Sequence, residues 1–208
     1  TMADDLLSGA KPLLPLGDET IARFSEQRTL LRIEEIQAAL HAFKAHLGRD
    51  IRAKLRQRLD EKIAAAGLSW KSFEEVRVET AIGLRPVGPL AHAERDFRPA
   101  LNHQSSPGIP LAPAWIGIAT TPQSSDRLKR MIFERSASLF ETPNLSAPSS
   151  WWVQWGWMSY WPNSDKASGL TGFTGEAGEA LVERIADWLI ALAPIIESCI
   201  EPQAGDLW

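Results

Sequence analysis

The stretch TLLRIEEIQAALHAFKAHLGRDIRAKLRQRLDEKI, residues 29–63, decides the architecture. Within it Leu30, Ile33, Ile36, Leu40, Phe43, Leu47, Ile51, Leu55, Leu59 and Ile63 recur at spacings of three or four. On an α-helix such positions stack into one apolar stripe, and the charged residues between them fill the other faces. Gly48-Arg49-Asp50 interrupts the pattern with a residue suited to a helix C-terminus and another suited to the next N-cap. The stripe nevertheless passes from Leu47 to Ile51 in phase, so the pattern predicts one long helix, kinked at Gly48, in preference to a hairpin. A stripe of that length needs a surface to cover it. If the helix projects, the stripe predicts a homodimer or docking to another protein through Ile33, Ile36, Leu40, Phe43 and Leu47.

Beyond this helix, which Gly67 closes, the period changes. Val76, Val78, Thr80 and Ile82 alternate with Arg77, Glu79 and Ala81, so Phe73–Ile82 reads as a half-buried strand. The tract 83–113 carries Pro86, Pro89, Pro99, Pro107, Pro110 and Pro113, which predicts a long irregular loop. Ala114–Ala119 is an apolar run that reads as a buried strand, and Ser124 or Ser125 can cap a helix reaching about Phe140. The segment Trp151–Trp161 holds five of the nine tryptophans and reads as a strand that is apolar on both faces. Finally Thr174 can cap a helix whose Leu181, Ile185, Trp188, Leu192, Ile195 and Cys199 form a stripe, kinked at Pro194.

These elements predict an α+β fold. A small, mainly antiparallel sheet of 73–82, 114–120 and 151–160 has the Trp-rich strand at its centre, is packed by helices 125–140 and 175–200, and is joined by the long N-terminal amphipathic helix. The expected division is a flexible segment over 1–17, a helical arm over 18–67 and an α+β domain over 68–208.

The chain has 208 residues and a formal net charge of −4, which argues against a globally basic nucleic-acid binder. No run approaches the roughly 18 apolar residues of a membrane span, so no membrane association is expected. The lone Cys199 excludes an internal disulfide framework and a cysteine-cluster zinc site. Residues 2–17 lack the basic start and apolar core of a secretory signal, and a cytoplasmic setting is expected.

Chemistry-bearing residues are few. His92, Glu94, Asp96 and His103 could offer nitrogen and oxygen ligands to a metal, and Glu75 and Glu79 are further carboxylates for a hydrolase or nuclease, but no spacing among them is diagnostic. No nucleophile elbow or phosphate-binding loop is present. The expectation is therefore no catalytic residue, no metal and no cofactor. On a helix Arg52 and Arg56 are neighbours, while Lys54, Arg58 and Lys62 form a second row; Arg52, Arg56 and Arg58 could follow phosphates, or the rows are a solvated face interleaved with Asp50, Asp60 and Glu61. Trp151, Trp155, Trp157 and Trp161 read either as a core strand or as a platform for sugars or bases.

The order of a long charged helix, the Trp115–Ile118 strand, a Trp-rich strand ending at Trp161-Pro162, and a closing helix over Glu179–Ile200 resembles the C-terminal region of larger bacterial proteins of the PD-(D/E)XK nuclease superfamily. The resemblance spans 25–200 and rests on layout and aromatic placement. That superfamily binds magnesium with an Asp and a Glu-x-Lys on adjacent strands. Here the nearest approach is Glu75-Val-Arg77, with Arg in place of Lys and no matching upstream Asp. The resemblance implies an accessory or recognition module without the cleaving core. The leading expectation is accordingly a non-enzymatic interaction module. A metal-dependent hydrolase and a ligand-binding module with a tryptophan platform are the alternatives.

Overall fold

The computed structural model describes residues 27–76, 80–92, 95–103, 111, 113–140 and 148–200. The segment 1–17 lies outside them, as do Arg77, Glu79, Glu94 and the side chain of His103.

Helix α1, Gln27–Ala66, runs 40 residues without a break. Gly48 does not end it; the position is packed, with a Cβ there meeting Leu111 and Arg52 at 3.4 Å. The helix stops where Gly67 takes φ +61 and the Leu68 N–H donates to the Ile63 carbonyl at 3.2 Å, the six-to-one closure that a C-terminal glycine permits.

Five strands follow: β1 (Trp70–Val76), β2 (Thr80–Pro86), β3 (Arg98–His103), β4 (Ala114–Ala119) and β5 (Trp152–Trp157), with helices α2 (Asp126–Ser136), α3 (Ala167–Leu170) and α4 (Gly175–Ile200). The strands form one sheet in the order β1-β2-β3-β4-β5, and every neighbouring pair is antiparallel. The fold is α+β, with the long helix packed on the sheet.

Three details differ from expectation. Phe73–Ile82 is two arms of a hairpin, with Val76 opposite Thr80. The alternation survives because each arm keeps a helix-facing side, and Arg77-Val78-Glu79 contains neither Gly nor Pro to announce a turn. The proline tract also contains regular structure, the end of β2 and all of β3. Pro99 is accommodated because the β2–β3 register stops at Gly83 and Ala100, leaving Pro99 opposite only Ile118 of β4. The Trp-rich strand β5 lies last in the strand order, at an edge and not at the centre.

Register defines the two faces of the sheet. Ile82, Leu101 and Ile116 stand side by side and join a core with Leu55 and Leu59 of α1 and Ile185, Leu189 and Ile196 of α4. Helix α1 packs on α4, β1 and β2, while α2 packs on α4 and β5. The opposite face aligns Phe73, Gly83, Ala100, Gly117 and Trp155. Phe73, Ala100 and Trp115 are buried there, outside the main core. A Cβ at Gly117 would strike the β5 backbone, so glycine lets the strands approach. Helix α4 continues through Pro194, and its buried stripe runs through Ile185, Leu189, Leu192 and Ile196, with Trp188 and Ile195 at the margin.

Candidate functional site

The helix α1 changes character at Leu47. Before it, Leu30, Leu31, Ile36 and Phe43 are 47%, 52%, 49% and 46% exposed; after it, Leu55 and Leu59 are fully covered. Ile33 and Leu40 are half-buried, and Lys44 approaches Asp165 at 3.9 Å where the helix reaches the rest of the molecule. The spacing changes at the same residue. Ile33, Ile36, Leu40, Phe43 and Leu47 alternate steps of three and four, the average of 3.5 that keeps a seam facing one partner helix. From Leu47 to Ile63 every step is four, so each apolar residue is rotated about 40° from the last and the stripe winds across the sheet and α4. The five residues expected to bind a partner thus divide: Leu47 is in the core, Ile36 and Phe43 are exposed, and Ile33 and Leu40 lie between.

The basic residues of α1 divide as well. Arg52 and Arg56 lie together with Arg49 along an open groove that also presents Asp60, Glu61 and Glu74, and the Arg52 Nε donates to Glu74 at 3.0 Å. Arg58 is elsewhere. With Lys54 and Lys62 it faces α4, whose Glu179, Glu183 and Asp187 repeat the same four-residue step. The two rows interlock: Lys54 with Glu179 at 2.8 Å, Arg58 with Glu183 at 2.7 Å, and Lys62 with Glu183 at 2.6 Å and Asp187 at 2.7 Å. The hydrogen bonds that the Lys62 ammonium donates to Asp187 and Glu183 raise its pKa above the ordinary value. This acidic row went unread in the sequence, although its spacing was there to find.

Among the carboxylates and imidazoles, Glu75 accepts from Arg98 at 3.4 Å, and Arg98 also pairs with Asp96 at 3.3 Å. His92 and Asp96 share a surface hollow with Arg85, and His103 pairs with Ala114 and Thr80 in the sheet. Among the described residues no three His, Cys, Asp or Glu side chains are grouped to hold a metal. Cys199 is buried at the end of α4, and burial pushes its thiol up from its ordinary value.

The four tryptophans singled out above do not share one face. Trp151 is exposed before the strand begins, and Trp161 sits in the following turn with its ring 5.2 Å from Phe173. Trp155 and Trp157 do share a face, joined by Trp115, and the three indoles meet edge to face: 77° between Trp115 and Trp157, 84° between Trp155 and Trp157. That cluster has no coplanar shelf of the kind that stacks sugars or successive bases. A further aromatic group lies around the corner, where Phe140, Tyr160 and Trp188 line a cleft against α4.

Comparison with known proteins brings no likeness to bear on these surfaces: no family model, no curated protein and no solved structure matches the chain.

Proposed function

We propose that the chain is an interaction module that self-associates, pairing the first half of α1 with the same segment of a second copy. The observation that carries this reading is the coincidence at Leu47 of two changes, from 3.5-residue spacing to four-residue steps and from exposed to buried apolar side chains. The second half of the helix is covered by its own chain; the first half has the pattern of a seam whose other side is a helix. Flanking residues are compatible with a parallel copy. With Ile33 and Leu40 as one set of knobs and Ile36 and Phe43 as the other, the edge positions are Arg32, Gln37, Ala39 and Lys44. In a parallel pair Arg32 then opposes Gln37 and Ala39 opposes Lys44, so no like charges face each other. Each Ile or Phe withdrawn from water at such a seam contributes about 1.5–3 kcal/mol.

Size-exclusion chromatography with light scattering tests the proposal. The wild-type chain gives twice the chain mass at micromolar concentration, and the double substitution Ile36→Asp, Phe43→Asp gives a single chain with the same unfolding midpoint at low concentration. A wild-type monomer at every concentration overturns self-association.

A further inference from the structure

Lys71 of β1 and Arg85 of β2 stand directly opposite each other in register. They alternate with the core-facing positions and fall in line with Phe73 and Gly83, so both project from the sheet face turned away from α1. Both are exposed, and among the described residues neither side chain has an ion-pair partner. Like charges in direct cross-strand register destabilise a sheet. The acids described at this corner do not relieve the pair, because Asp96 and Glu75 are both taken by Arg98, at 3.3 and 3.4 Å. Beside the pair lies a hollow of about 250 Å³, lined by Arg85, Pro86, Ala91, His92 and Asp96. Successive turns after β2 bring His92 to it. A 3-10 turn over Gly88–Leu90 opens at Gly88 with φ +63, the His92 N–H donates to the Leu90 carbonyl at 3.0 Å, and the Arg95 N–H donates to the His92 carbonyl at 2.8 Å.

We propose that this corner binds a phosphate dianion, free or as the monoester of a small molecule, with Arg85 and Lys71 meeting its charge and His92 donating an N–H. The charge sets the chemistry. A phosphate brings nearly two negative charges and three acceptor oxygens, which answer two opposed cations and an imidazole donor; a carboxylate, with one charge and two oxygens, leaves one cation unmet. Arg85 offers a planar fork for two oxygens and Lys71 a compact point charge for the third. Size limits the carrier. Ligand pockets usually span about 300–1,000 Å³, so this hollow takes a phosphate with a few carbons and not a nucleotide. The site uses β1, β2 and the loop after them, so it stands or falls separately from the seam on α1.

The test is calorimetry of the full chain at constant ionic strength, with inorganic phosphate, glycerol 3-phosphate and, as the neutral control, glycerol. Expected are saturable one-site binding of glycerol 3-phosphate with a Kd below about 1 mM, no binding of glycerol, and shifts of the Arg85 and His92 side-chain signals in nitrogen-15 spectra. Glycerol 3-phosphate binding the tighter identifies the monoester as the ligand; inorganic phosphate binding at least as tightly identifies the free anion. Arg85→Gln and Lys71→Glu each weaken binding about tenfold. Arg127→Gln, which removes the same charge from an exposed position on α2, leaves binding unchanged. Without phosphate, Lys71→Glu unfolds at or above the wild-type midpoint, because it turns a like-charged cross-strand pair into an opposite one, so its lost binding is not lost folding. The proposal is overturned if neither phosphate saturates, if Arg85→Gln or Lys71→Glu binds as wild type, or if Arg127→Gln weakens binding as much as Arg85→Gln.

Discussion

The two halves of α1 have the same secondary structure and similar amounts of apolar and charged sequence, yet only one half is held by the molecule it belongs to. From Leu47 to Ile63 the apolar residues are closed in by β1, β2 and α4, and the basic row beside them is matched by Glu179, Glu183 and Asp187. From Leu30 to Phe43, Leu30, Leu31, Ile36 and Phe43 stay about half exposed, and Leu40 only partly packs against the core. Amphipathicity alone therefore does not say what covers a helix. In α1 the spacing changes where the covering changes: steps of four run through the enclosed half, and alternating steps of three and four through the half left largely exposed.

The contrast can be broken most severely from inside. Leu55→Ala or Leu59→Ala leaves a cavity in a fully covered site and costs about 2–5 kcal/mol in urea unfolding. Ile36→Ala, removing similar apolar bulk from the other half, shifts the same measurement by no more than about 0.5 kcal/mol when the protein is dilute enough to be monomeric. If the two substitutions cost the same, the division at Leu47 is wrong. The charge ladder gives a smaller effect. Lys62→Met removes the residue that bridges Glu183 and Asp187 and costs about 1 kcal/mol or less, partly exposed as the pairs are. Its pH dependence has a definite sign. Lys62 is raised from 10.5, so its stabilisation is complete below the unfolded value and lost as pH rises through the higher folded value. The wild type and Lys62→Met should differ by a constant amount from pH 7 to 9 and converge only above about 10.5.

Much of this was legible before any coordinates. The long helix could be read because ten apolar positions hold one phase across Gly48, and β4 because an apolar run is bounded by Pro113 and Thr120-Thr121-Pro122. The β1–β2 hairpin was hidden because Arg77-Val78-Glu79, between its two arms, includes no Gly or Pro. Strand β3 was hidden because Pro99 reads as a breaker, and only the register shows that it escapes one of its two ladders. The edge position of β5 depends on strand order, which alternation does not encode. The candidate surfaces divide in the same way. The seam on α1 is local in sequence and was visible. The cationic hollow was not, because Lys71, Arg85 and His92 lie in three separate segments that the β1–β2 register and the turns after β2 bring together.

Amide hydrogen exchange followed along α1 as the protein concentration is raised tests the division most directly. A helix turn without a packed face opens readily, and pairing closes it. The account predicts that amides of residues 30–43 exchange fast in dilute solution and gain protection with concentration, while those of residues 51–63 are equally protected throughout. Protection of residues 30–43 that is already high in dilute solution and indifferent to concentration would contradict it.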